Sequence, residues 1–395
     1  MYQVATKTKP QVKTNYGFIT GMLFWCALIV VSSVYVTTPL IIPFSSEFQV
    51  THSIAAWTSS SFSLFYGIGF LFFGPLADRY GRKQIIVFGL LALTVTTFII
   101  GFIHSFYGLV ILRGVQGFVA ATFAPTALAY VFDIFPKKQI VTAVGFISFG
   151  YVTAGIFGQV IADVINQTFE WQFVFILFGF FYLLTFVAVQ FILPSSENRN
   201  TTNGLYDYLK QAKIIFSQSN FLFCYTITIF LLLTFIGMYT VLGSYLGNAP
   251  FDLSEKGILF VRAAGIIGMV LSPLTGMIVH KIGLMTTLRL GLLMAIIGLF
   301  SLGIAPNLFW IVFVSIIYVG GISMIFPAIM MLVGELGGKQ RALANSFYAF
   351  ILFIGAMLGP IVGIALMTTG NYIITFSVFA FLLVIGFVVS FLIKR

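Results

Sequence analysis

The chain alternates long apolar blocks with short polar or basic breaks, and each block runs for about 20 residues, enough to cross about 30 Å of hydrocarbon. Twelve such blocks are read: Gly17 to Ile42, Ser53 to Leu76, Gln84 to His104, Gly108 to Phe132, Ile140 to Val164, Trp171 to Leu193, Asn220 to Tyr245, Gly257 to Val279, Thr286 to Ala305, Leu308 to Val333, Ala342 to Met367 and Tyr372 to Ile393. They are expected to be helices, because backbone groups in lipid must be satisfied within the segment. The first 16 residues are basic and polar and lack a cleavage site after a short apolar core, so the first block reads as a retained span.

Between blocks two and three stands Gly74-Pro75-Leu76-Ala77-Asp78-Arg79-Tyr80-Gly81-Arg82-Lys83, and a weakened copy, Gly276-Met277-Ile278-Val279-His280-Lys281-Ile282-Gly283, recurs 202 residues later. The same offset carries Gly89 to Gly291, Gly101 to Gly303, Pro125 to Pro327, Asp133 to Glu335 and Lys137 to Lys339. The chain is two similar halves laid end to end, and in a membrane such duplication points to transport. The expected fold is all-α, twelve transmembrane helices in two pseudo-symmetric bundles over residues 1–193 and 220–395, joined by a linker over 194–219. In that linker, Tyr206 to Phe216 reads as an amphipathic surface helix.

Composition agrees: 60% of residues are hydrophobic, 8% are charged and mean hydropathy is +1.08, against about 25% charged in soluble proteins. Threading the spans places 17 of the 20 basic residues on one side. The positive-inside rule makes that side cytoplasmic, with both termini there and the chain in the plasma membrane, for a bacterium the inner membrane. The net charge of +10 then reflects topology and anionic lipid headgroups, and nucleic acid is excluded as a partner. Cys26 and Cys224 are isolated within spans, so neither a metal site nor a disulfide framework is expected, and no cofactor is implied.

The decapeptide resembles the signature loop of the major facilitator superfamily, Gly-x-Leu-x-Asp-Arg-x-Gly-Arg-Lys, matched by Gly74, Leu76, Asp78, Arg79, Gly81, Arg82 and Lys83. Leu109, Arg113, Gln116, Gly117, Ala120 and Ala121 in block four are similar to the family's second motif. The antiporter-associated motif of block five is degraded, keeping Gly155 and Gly158, whereas block eleven carries Gly355-x3-Gly359-Pro360-x2-Gly363. The resemblance implies a monomeric carrier working by alternating access. It also implies a latch in which Asp78 faces the start of span eleven and Arg82 faces Asp133. The residues alone support the same contacts, since Asp78 lies at a helix end and Arg82 can pair with an acid at the end of span four.

Polar and aromatic residues suited to a central cavity include Tyr35, Trp57, Gln116, Tyr151, Tyr239 and Tyr318. Arg113 and Arg262 lie within spans, where an unpartnered charge is costly, so each is expected to face protein or water and to serve function. No carboxylate falls in mid-span; beside two buried arginines, that absence favours an anionic or zwitterionic, carboxylate-bearing solute, for example an opine-like metallophore. Proton-coupled export is the leading expectation, with Asp133, Asp163 and Glu335 as candidate proton carriers. Export of cationic or amphipathic drugs, solute import and a non-transporting sensor are the alternatives. No cluster of His, Asp or Glu, nor a nucleophile beside a base, supports an enzyme. The charge asymmetry predicts that a cysteine at Lys256 reacts with an impermeant thiol reagent on intact cells and one at Lys138 does not; reversed labelling would overturn the orientation.

Overall fold

A computed structural model describes residues 15–195 and 215–394, the side chain of Asp78 among the few left out; the expected helix Tyr206 to Phe216 therefore lies largely outside the described residues. Helices account for nearly all of the described chain. We label the spans α1 (Tyr16–Ser32), α2 (Trp57–Tyr80), α3 (Arg82–Gly101), α4 (Phe106–Ile134), α5 (Lys137–Thr168), α6 (Trp171–Ile192), α7 (Ser219–Gly247), α8 (Glu255–Ile282), α9 (Leu284–Gly303), α10 (Leu308–Gly337), α11 (Arg341–Met367) and α12 (Tyr372–Val389). Eleven of them are long and apolar enough to span a bilayer, and the chain is a multi-pass membrane protein. One side, the basic face, carries Arg79, Arg82, Lys83, Lys281 and Lys394; the opposite face carries Glu47, Glu170, Asp252 and Glu255.

The exception is the first span. It was expected as one helix from Gly17 to Ile42, but α1 stops at Ser32 and eight residues of turn and bend lead to a short helix, Ile41–Glu47. Two local causes act together. Ser32 Oγ bonds back to Leu28 O at 2.6 Å and also reaches Ala154 O at 3.4 Å, a side-chain competition that bends helices. Pro39 then offers no N–H and pushes Thr38 out of helical geometry.

Packing follows the duplication. In the first half α1 lies on α5, α2 on α4 and α3 on α6; in the second, α7 lies on α11, α8 on α10 and α9 on α12. Each pair maps onto its counterpart by adding six. Two further pairs cross between the halves, α2 with α11 and α5 with α8, and these too are exchanged by the same operation. Local devices repeat at the 202-residue spacing: Gly81 and Gly283 turn the chain between spans at φ of 99° and 86°, a region that favours glycine. Ser105 and Asn307, also 202 apart, cap the first turns of α4 and α10.

The glycines of α11 act inside the second half. A β-carbon at Gly355 would sit 2.1 Å from Ile229 O, one at Gly359 would sit 2.9 Å from Leu233 O, and one at Gly363 would sit 3.2 Å from Val241. Small residues at this spacing let two backbones approach in lipid, where dispersion rather than water exclusion holds helices together. Their spacing is thus accounted for by contact with α7. Gly355→Leu is expected to abolish accumulation of folded protein, whereas Gly276→Ala, at a position with no neighbour within 4 Å, should leave it unchanged in a detergent-solubilised sizing assay.

Candidate functional site

The two crossing pairs form seams between the halves. Along the first, Ser60 Oγ donates to Met357 O at 2.7 Å, and the Tyr66 ring meets Phe353 edge-on at 4.4 Å between centroids. Gly67 brings α2 against Phe350 O and Phe353, where an added β-carbon would sit at 3.1 Å, and Gly74 faces Ser346 nearer the basic face. Along the second, Arg262 Nη1 of α8 lies 3.4 Å from Asp163 Oδ2 of α5, both side chains being largely buried. Gly243 of α7 leaves room for this guanidinium, since a β-carbon there would fall 2.7 Å from Nη2.

One helical turn deeper, Gly265, Ile156 and the Tyr239 hydroxyl meet, and deeper still Gly155 faces Phe235 and Met269. Nearer the basic face, a β-carbon added at Gly145 of α5 or Gly276 of α8 would meet nothing within 4 Å. The α5–α8 seam is therefore closed toward the opposite face and loosens toward the basic one.

Between the seams lies an aromatic and hydroxyl-bearing centre. On α2, Ser59, Ser63, Tyr66 and Phe70 share one buried face, spaced by three or four residues, and the Oγ atoms of both serines and the Tyr66 hydroxyl are buried without a hydrogen-bond partner. Gln159 on α5 donates to Gly155 O at 2.7 Å and leaves its Oε1 unbonded. Tyr239 on α7 also has an unbonded, buried hydroxyl. Tyr35, in the turn after α1, packs edge-on against Phe235 of α7 with ring centroids 6.1 Å apart. Buried hydroxyls and amides normally find partners, so these atoms mark where a polar ligand gains most.

The remaining sequence candidates lie elsewhere. Trp57 was expected in the cavity, but it is 52% exposed on the outer face of α2 with Phe65 and Phe72, because its helical angle points away from Ser59 and Tyr66. Tyr318 bonds Thr234 Oγ1 at 3.2 Å and packs on Gly298 of α9, inside the second half. Tyr151 donates to Ala124 O at 3.1 Å. Arg113 is fully buried within the first half: Nε donates to Thr58 O at 3.2 Å and Nη2 to Ser33 O at 2.8 Å. Its Nη1 donates to Gln116 Oε1, and Gln116 Nε2 reaches Thr97 Oγ1 at 2.7 Å. The expected convergence of Arg113 and Arg262 on one solute carboxylate is absent from this arrangement, each guanidinium being engaged by the protein itself.

At the basic face, Arg82 Nη1 lies 2.6 Å from Asp133 Oδ2 and also donates to Ala129 O, which ties α3 to the end of α4. Arg79 is exposed beside the Tyr80 ring, and Glu335 is exposed at the end of α10. The side chain of Asp78 lies outside the described residues. Among the described residues no three His, Cys, Asp or Glu side chains gather as metal ligands. Tyr66, Phe235 and Phe353 were not among the sequence candidates; their signal, aromatic residues on the inward stripe of a crossing helix, emerges only once the seams are known.

Comparison with known proteins is consistent with this geometry. The sequence profile described as Major Facilitator Superfamily matches residues 23–340. An uncharacterized transporter of Buchnera aphidicola subsp. Schizaphis graminum is 24% identical over 90% of this chain and 86% of its own. The uncharacterized MFS-type transporter YybF of Bacillus subtilis is 24% identical over 87% and 85%. A bicyclomycin resistance protein homolog of Haemophilus influenzae is 25% identical over 84% and 85%. The Asp163–Arg262 contact predicts that Asp163→Asn opens the opposite-face side: a cysteine at Ser244 should label with an impermeant reagent about tenfold faster, in line with couplings of about 1–3 kcal/mol in such switches.

Proposed function

The chain belongs to the major facilitator superfamily and is a membrane transporter, not an enzyme, and we propose that it exports a small organic solute from the cytoplasm in exchange for protons. The observation that carries this reading is the Asp163–Arg262 pair, which joins the halves near the opposite face while the same seam loosens toward the basic face. In this reading the basic face is cytoplasmic and the membrane is the plasma membrane. A solute enters from the basic face and is held between the seams by rings and hydroxyls of both halves, Tyr35 and Tyr66 from the first, Phe235 and Tyr239 from the second. Once the seam parts and the solute leaves toward the opposite face, Asp163 takes a proton there and the carrier returns with the proton in the solute's place; loss of that proton to the cytoplasm restores the pair with Arg262. The relative named for bicyclomycin resistance supports export, and the lining, in which no described side chain presents an unpaired charge toward the centre, supports an uncharged or amphipathic solute.

A second reading is favoured by Arg262 Nε, which is buried without a partner. A carboxylate-bearing solute can then take Arg262 from Asp163. The sign of coupling separates the two readings, by linkage: exchange needs solute and proton to exclude each other, whereas a solute that displaces Asp163 binds best when Asp163 is protonated, which favours joint movement and uptake.

Inside-out vesicles with an acid lumen test both. Chloramphenicol, tetraphenylphosphonium or N-acetylglutamate is added outside while a pH-sensitive dye reports the lumen. The export reading expects dequenching by an uncharged or cationic probe, lost in Asp163→Asn at equal protein. Persistent dequenching in Asp163→Asn would overturn Asp163 as the proton carrier, and further acidification on adding N-acetylglutamate would favour the second reading.

A further inference from the structure

The break after α1 creates a debt of hydrogen bonds inside the membrane. In a continuous helix Ser33 O would accept from Thr37 N; here the backbone turns instead, with Tyr35 N and Val36 N both reaching Ser32 O. A carbonyl left bare in hydrocarbon costs several kcal/mol, so a break at this depth requires a donor from elsewhere. Arg113 supplies it: Nη2 donates to Ser33 O at 2.8 Å and approaches Thr37 Oγ1 at 3.5 Å, bracketing the first turn of the break.

The rest of the guanidinium is anchored so that it cannot follow the segment if that segment moves. Nε holds Thr58 O in the first turn of α2, Nη1 holds Gln116, and Cζ lies over the Phe62 ring, 4.3 Å from its centroid. Gln116 is itself tied to Thr97 of α3. Tyr182 of α6 secures the other side of the break through a hydrogen bond with Ser33 Oγ, and beyond the break Glu47 accepts from Trp171 Nε1 at 2.6 Å. The broken segment is thereby fastened to α2, α4 and α6 of its own half.

What the fastened segment presents to the second half is the edge of the site. Tyr35 meets Phe235, and Thr38, Pro39, Ile41 and Ile42 line a small cavity with Thr240, Gly243, Ser244 and Arg262. We infer that Arg113 is a positioning residue: its planar fork holds the break after α1 open in one shape, and so sets where Tyr35 and residues 38–42 stand against α7. Lysine keeps the charge but cannot reach three acceptors lying in different directions, so charge alone does not substitute. Arg113 acts through Tyr35 and its neighbours and does not itself touch the solute.

The test reads geometry, independently of any transported compound. Cys26 and Cys224 are replaced by alanine, cysteines are placed at Tyr35 and Phe235, and cross-linking by a short, membrane-permeant bifunctional thiol reagent is measured against the amount of monodisperse protein. Arg113→Met and Arg113→Lys are both expected to slow cross-linking about tenfold, equivalent to about 1.4 kcal/mol of lost positioning. Guanidinium ion added to Arg113→Ala should restore part of the rate. Undiminished cross-linking in Arg113→Met overturns the inference, and full retention in Arg113→Lys reduces the role to charge and overturns it equally. Should Arg113→Met fail to accumulate, Gln116→Leu, which frees Nη1, is read instead: a severalfold loss supports the brace, and no loss overturns it.

Discussion

Every feature of this chain answers one constraint, that in hydrocarbon a backbone carbonyl or amide has no water to fall back on. Regular helix is the default answer, and most of the spans give it. Close helix contact is then bought with glycine, as where Gly355 and Gly359 bring α11 onto the backbone of α7. Where the helix stops short, as after Ser32, side chains must stand in for the lost partners, and a buried arginine with several outward N–H groups suits that task because its donors diverge from one rigid plane. The charge of Arg113 is tolerated for the same reason: carbonyl dipoles, the Gln116 amide and the face of Phe62 surround it.

The two buried arginines therefore differ in kind although both sit in spans. Arg113 is bonded wholly within its own half. Arg262 reaches across to the other, and its contact is correspondingly longer and incompletely satisfied, at 3.4 Å with Nε unbonded. A tightly satisfied network holds a shape; a partly satisfied one across a moving boundary can be exchanged for another partner, whether a proton on Asp163 or a group on a solute.

Much of the architecture was legible in the sequence because membrane helices announce themselves by length and the halves by their 202-residue echo. The contact of Arg82 with Asp133 was within reach of the same reasoning, since a base at the start of α3 and an acid at the end of α4 share one face when the other ends of the two helices are joined by a short connection. The break in the first span was not, because Val34, Val36 and Tyr35 keep the run apolar while Ser32 and Pro39 undo the helix. Trp57 misled because residue type says nothing of helical angle, and only the positions of Ser60 on α11 and Phe62 beside Arg113 orient α2. The pairing of Asp163 with Arg262 spans 99 residues and two halves, and no local pattern connects them.

The repeat that generated the two seams has left them chemically unequal. Adding 202 to Ser60 gives Arg262, so equivalent places hold a neutral hydroxyl on one seam and a cation on the other. Among the described residues the α2–α11 seam is packed from Ser60 past Tyr66 toward Gly74, with rings and the neutral hydrogen bond from Ser60 to Met357 O. A door with a plain edge and a catch on the other swings about the plain edge. In the export reading, alternation is accordingly lopsided, a swing along the aromatic side with the ionic side travelling furthest, although the fold itself is built from two similar halves.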